Sequence, residues 1–305
     1  MTNQDQTNLN NSFEDDRIDI GELFGFLWES RKLIVILTTV CFLSSVFYAR
    51  SLNNYYKSTS TLSVIEAVGG GTSLGGIGKL AGISIQQVGV KGPRFINTLR
   101  SRAFLNHLIS IDENVLPALV AAESYDKESK KLVFDSELYD EANKKWLIPK
   151  PDYLRAYPRY MGMLYTYYHD QRRIIDLELE HISPIFAKEF LDSIIREGDK
   201  VLRDFDMQVS IDSLEYLNVE LAETKLLNIK SSINQMILSQ MQTKMMTQLG
   251  YNYVVKIIDP PFIPLYPSRP SRRFIVMVAT LGGLVFGIAL VLMRQYIGFN
   301  ITKQK

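Results

Sequence analysis

The residues of this chain whose types suit chemistry are few and scattered. His107, His169 and His181 have no spacing that would aim two imidazoles at one metal. Cys41, the single cysteine, lies inside an apolar run, so the rest of the chain has neither a disulfide nor a thiol nucleophile. Gly76-Ile-Gly-Lys-Leu-Ala81 superficially resembles a dinucleotide fingerprint, and Gly78-Lys79 the end of a phosphate loop. A phosphate loop needs glycine where Ser73 stands and Ser or Thr where Leu80 stands, and no acidic residue follows about 20 positions on. No G-x-S-x-G, H-E-x-x-H or kinase set is present. Carboxylates are plentiful, but Asp15-Asp16 and Asp204–Asp206 read as solvated faces. Tyr153, Tyr157, Tyr160, Tyr165, Tyr167 and Tyr168 crowd one stretch, which suits either core packing or stacking on sugar rings. The reading assigns no catalytic residue, no metal and no cofactor.

The elements that frame this body are apolar. Leu33–Ala49 is 17 residues and Phe274–Met293 is 20 residues without a charge. A hydrocarbon core of about 30 Å takes about 20 helical residues, so both read as membrane spans, the first extended into the interfaces by Trp28, Phe47 and Tyr48. A cleaved signal peptide fits the first poorly, because Glu14, Asp15, Asp16, Asp19 and Glu22 precede it and bulky Phe47 stands near the would-be cut. Five basic residues flank the terminal sides of the two spans and five the inner sides. Long loops translocate largely regardless of charge, so discounting the 224-residue loop puts both termini inside. The expected order is a cytoplasmic segment 1–32, a span 33–49, a periplasmic domain 50–273, a span 274–293 and a cytoplasmic tail 294–305. A formal net charge of +1 argues against a nucleic-acid footprint.

Within the body, Thr59–Ile65, Ile174–His181 and Tyr251–Ile258 read as strands, and Pro93–Ile109 as a helix. Residues 18–29 carry a helical apolar stripe, and Gly69–Gly92, with nine glycines, reads as a loop. Ser183-Pro184 supplies an N-cap and a first-turn proline. The 66 residues from Pro184 to Leu249 contain no further proline and repeat apolar residues every three or four. As one helix they would run about 100 Å, too long for a compact domain, so the reading is a long helical stalk over about 184–249, with Gly198 or Val209–Asp212 as candidate breaks. Asp259–Arg273 carries Pro260, Pro261, Pro264, Pro267 and Pro270 and reads as an extended strut or a plain linker. In the second run, Gly283-x-x-x-Gly287, with Gly282 beside it, permits close helix–helix approach, either to the first run or to another copy. The fold class is α+β, anchored by two transmembrane helices.

Taken together, these residues carry a resemblance. The entry segment IDIGELFGFLWESRKLI, LRSRAFL at 99–105, DKESKKLVFDSELYD at 126–140, LELEHISPIFAKEFLDSII at 177–195, SLEYL at 213–217 and QTKMM at 242–246 occur in an order that resembles the Wzz-type O-antigen chain-length determinants, a branch of the polysaccharide co-polymerases. The long glycine-rich insertion and Gly198, where the family often carries asparagine, depart from the pattern. The resemblance implies a bacterial inner-membrane protein with a periplasmic α/β base and a helical extension, assembled as a ring-like homo-oligomer. It implies a non-catalytic partner of the O-antigen polymerase that sets how many repeats are built on undecaprenyl-linked polysaccharide. A capsule or exopolysaccharide export component shares the frame, as does an adaptor for a separate tyrosine kinase. The twelve residues after the second span argue against a fused kinase or a receptor output domain.

Overall fold

The computed structural model describes Trp28 and residues 30–65, 91–250 and 252–302, with side chains as far as Arg294. The amphipathic stripe at 18–29 lies, but for Trp28, outside the described residues, as do the phosphate-loop lookalike and most of the glycine-rich stretch. The chain forms two units, one of residues 1–52 and 270–305 and the other of residues 53–269.

The first unit contains α1 (Arg31–Ser51) and α8 (Arg272–Thr302), which pack along each other. Both are long and apolar enough to cross a membrane, α8 over Arg272–Arg294. Inside α1, Thr38 and Thr39 return their hydroxyls to the carbonyls of Ile34 and Val35, so neither is left bare on an apolar surface.

The second unit is built on β1 (Tyr56–Val64), β6 (Leu164–His169), β7 (Ile174–His181) and β8 (Val255–Asp259), in the order β6-β7-β1-β8. All three pairings are antiparallel, Thr61 standing opposite Asp176 and Val64 opposite Val255. Period-2 alternation gives each strand one buried face: Leu62 on β1, and Ile175, Leu177 and Leu179 on β7, are fully enclosed. Helices α2 (Lys91–Leu99), α3 (Arg102–Ile111), α4 (Val115–Val120) and α5 (Tyr153–Met163) complete the core with Phe95, Leu99, Leu105 and Tyr160. Two small hairpins intervene, β2 (Ala122–Asp126) with β3 (Lys131–Phe134) and β4 (Tyr139–Asp140) with β5 (Lys145–Trp146). Asp126 and Asp140 organise their turns by accepting the amides of residues two and three positions on.

Three expectations need correction. The helix expected over Pro93–Ile109 is two, because Ser101 stops the first and caps the second by accepting the Phe104 amide. The helix expected over about 184–249 is also two: α6 (Pro184–Glu223, 40 residues) and α7 (Leu227–Gln248, 22 residues), separated by extended backbone at Thr224 and Leu226. Neither Gly198 nor Val209–Asp212 breaks α6. Gly198 instead lets it approach α2, since a Cβ there would lie 2.5 Å from Leu99 Cδ2 and 3.0 Å from Phe95 Cε2. The break after Glu223 contains neither glycine nor proline; what it gains is side-by-side packing of α7 on α6, and tertiary packing outweighs local propensity there. The guanidinium of Arg203 reaches the carbonyl of Gly250 at 2.8 Å, so α7 returns antiparallel to the point where α6 leaves the core. The stalk is therefore a helical hairpin over residues 203–250, about 30 Å long.

Candidate functional site

Two constructions hold the glycines and prolines singled out in the sequence, the helix pair and the proline segment, and a third stands at the foot of the hairpin. The first is set by glycine. A Cβ on Gly283 would sit 2.7 Å from Cys41 Cβ and 3.0 Å from its Sγ, so α1 occupies the space a side chain there would need. One turn on, Gly287 lies in ordinary contact with Ile34 and Leu37. Residues rise along α8 as they fall along α1, so the helices are antiparallel. Gly282 has nothing within 4 Å and faces away from α1.

The proline segment is extended, but it is no free-standing strut. It continues alongside β1 from the end of β8. Proline has no N–H to donate to a ladder, so the segment is held to β1 largely through its carbonyls, which the serines of β1 reach. Ser60 donates its hydroxyl to the Asp259 carbonyl at 2.7 Å, and Ser58 donates to that of Phe262 at 2.8 Å. Farther along, the Ser268 amide donates to the Tyr55 carbonyl at 2.7 Å, while its hydroxyl bonds the buried carboxylate of Glu180. Arg269 closes the strap with an ion pair to Glu180 at 2.7 Å and a bond to the Tyr165 hydroxyl. Pro261 and Pro264 are buried, Pro260 and Pro267 exposed, and Pro270 half-buried.

The foot of the hairpin holds a polar cluster. The buried Asp199 accepts three successive amides, from Tyr253 at 3.0 Å, Val254 at 2.6 Å and Val255 at 3.2 Å. Asp206 takes the Tyr253 hydroxyl and pairs with Arg94 at 2.7 Å. Lys91 covers the Tyr253 ring at 4.0 Å. Burial, and then the bond to Asp206, push the Tyr253 phenol up, so it stays a donor. Burial pulls Lys91 down, with Asp206 and Asp199 opposing it. Sequence reading missed this cluster. The available signal was Asp199 itself, an acid on the buried stripe between Ile195 and Leu202.

The histidines stand in three separate places. His107 meets Glu197 at 3.2 Å, and His169 meets Asp176 at 2.8 Å on the open sheet face. His181 is buried. It accepts the Ser183 amide at Nδ1, which places its proton on Nε2, 3.2 Å from the Ala118 carbonyl. Burial lowers it to about 4. The tyrosines divide by face: Tyr160 is enclosed and donates to the Leu99 carbonyl, whereas Tyr165 and Tyr167 look outward from β6. Most polar groups of the proline segment and of the hairpin foot hold backbone or pair with one another.

Comparison with known proteins then bears on the whole. The Wzz family, described as "Chain length determinant protein", matches residues 16–111, from the entry to α1 through β1 and α2 to the end of α3. Over that flank the chain is similar to the Wzz type. The other flank, residues 225–296, matches the GNVR family, "G-rich domain on putative tyrosine kinase", over α7, β8, the proline segment and most of α8. No curated protein matches in sequence. Among solved structures, a "full-length bacterial polysaccharide co-polymerase" aligns at 14% identity with a TM-score of 0.40, over 92% of this chain and 98% of that one.

Proposed function

We propose that this chain is of the Wzz type and sits in the bacterial inner membrane with its termini cytoplasmic and residues 53–269 periplasmic. There it acts without catalysis as an oligomeric co-polymerase that sets the modal length of O-antigen on its undecaprenyl carrier, beside the polymerase. The observation that carries the reading is the Wzz match through α1 and into the sheet. The helix pair supports it by supplying two membrane-competent helices. Self-association is supported by the hairpin, where Phe205, Val209, Tyr216, Val219, Met241 and Met245 are exposed on a surface too apolar to stay bare.

The test is the length ladder of surface lipopolysaccharide after deleting and restoring the gene. Collapse of a clustered distribution into a short, random ladder supports the reading. Loss of surface polymer favours an export component, and an unchanged ladder overturns length control of this polymer. The GNVR match favours one second reading, an adaptor for a separate tyrosine kinase. Under it, deletion lowers tyrosine phosphorylation of a partner and leaves the ladder as it was.

A further inference from the structure

A groove of about 690 Å³ opens on the surface of the helix pair. Phe42 and Val46 of α1 and Val276, Met277 and Leu281 of α8 line it, and Arg50, Arg272 and Arg273 stand at one end. Its size is that of a ligand cleft. Because the helices are antiparallel, the last turn of α1 and the first turn of α8 lie at the same level, which brings the three guanidiniums to one rim. From that rim the lining runs eight or nine residues along each helix, about 12–13 Å, close to half of a 30 Å hydrocarbon core.

We propose that this groove holds one anionic glycerophospholipid of the bilayer, with its phosphate among Arg50, Arg272 and Arg273 and an acyl chain along the apolar wall. The charge argument is one-sided. Neither helix contains an Asp or Glu. Arg272 reaches the Leu52 carbonyl at 3.5 Å, and Arg50 and Arg273 are exposed. Guanidinium forks match phosphate geometry, and basic pockets between membrane helices bind anionic head groups. A zwitterionic lipid would bring its own ammonium into three guanidiniums. The depth points to an acyl chain confined to one leaflet, rather than an isoprenoid chain long enough to cross both. Arginines that merely snorkel to passing head groups would show neither a fixed stoichiometry nor any dependence on the shape of the groove.

The inference rests on the membrane reading, so the experiment separates the two. Full-length protein is taken from membranes, stripped of lipid by detergent washing and titrated with phosphatidylglycerol or phosphatidylethanolamine, with bound lipid counted by native mass spectrometry. The expected result is one phosphatidylglycerol per chain, retained about tenfold or more over phosphatidylethanolamine. R50Q/R273Q lowers that preference about tenfold or more, as loss of two interfacial cations predicts. Met277→Trp, which fills the groove and leaves the charge alone, lowers binding of both lipids. Equal retention of the two lipids overturns the proposal, as does full retention in either variant. Displacement by farnesyl diphosphate at a tenth of the phospholipid concentration overturns it in favour of a diphosphate ligand. Release of the protein from membranes by salt and alkali alone overturns the membrane reading, and the proposal with it.

Discussion

The Asp199 carboxylate receives the amide of Val254 at 2.6 Å, across 55 residues of sequence. With the neighbouring amides of Tyr253 and Val255 it closes the hairpin and starts β8 in register. Asp199→Ala leaves three enclosed donors without an acceptor. Each such loss costs about 1–3 kcal/mol, partly recovered by relaxation and entering water, so about 3–5 kcal/mol in all is expected. Asp199→Asn keeps one acceptor oxygen and loses about 1–3 kcal/mol. Denaturant unfolding of the detergent-solubilised protein, followed by tyrosine fluorescence, reads both. Equal stability of the two variants would show that the carboxylate is not what holds this backbone.

His181 gives the body an acid limit. Its ordinary pKa of 6.5 falls to about 4 in the fold because burial disfavours the imidazolium. Between those values the unfolded chain binds a proton that the folded one refuses. The stabilisation is therefore complete above about pH 6.5 and lost as pH falls toward 4. The span of some 2.5 units corresponds to roughly 3 kcal/mol. His181→Asn, which keeps an acceptor near the Ser183 amide, should flatten that part of the stability–pH curve. The slope difference between the two proteins over pH 4–6.5 is the quantity to measure, because carboxylates titrate in both.

Gly198 and Leu99 should couple. Gly198→Ala gains helix propensity of about 1 kcal/mol but forces a methyl against the enclosed Leu99 and Phe95, which costs about 1–3 kcal/mol. A net loss is expected in the wild-type background. With Leu99→Ala the tightest contact goes and only the 3.0 Å approach to Phe95 remains, so the same substitution costs less or becomes neutral. A double-mutant cycle that is additive within about 0.5 kcal/mol would mean the helices already have room to spread.

The two adjacent glycines of α8 make an internal control. Gly283→Leu cannot be accommodated without moving α1, whereas Gly282→Leu adds a side chain to open space. If the helix pair takes part in length control, the first shifts the modal length at equal protein level and the second leaves it in place. Identical ladders from the two strains would remove the helix contact from the mechanism.

The framework was legible where period and chemistry agreed. Ile174–His181 forms the strand its alternation predicts, and Ser183 caps Pro184 as the pair of residues suggests, through the Phe186 amide at 3.2 Å. Sequence failed where the deciding partner is remote. Nothing local marks Thr224-Lys225-Leu226 as a turn, because the turn is made worthwhile by α7 lying on α6. Leu164–His169 was read as part of a tyrosine-rich stretch, and it is a strand only because β7 pairs with it. Pro158 argues locally against a helix but sits inside α5, where core packing of Ala156 and Tyr160 outweighs one missing backbone bond. The bonds from Ser58 and Ser60 to carbonyls of the proline segment become visible only once the segment is seen beside β1.

Because residues 203–250 start and finish at one clamp, their length is uncoupled from the rest of the body. Contacts inside the hairpin join neighbouring rungs, and the core contacts stop near Leu202. Seven residues added to each arm would lengthen it by about 10 Å and present the same ends to Arg203 and Asp199. Evolution can therefore redraw the reach of this element by insertion and deletion alone, one matched pair of turns at a time, without renegotiating the sheet beneath it.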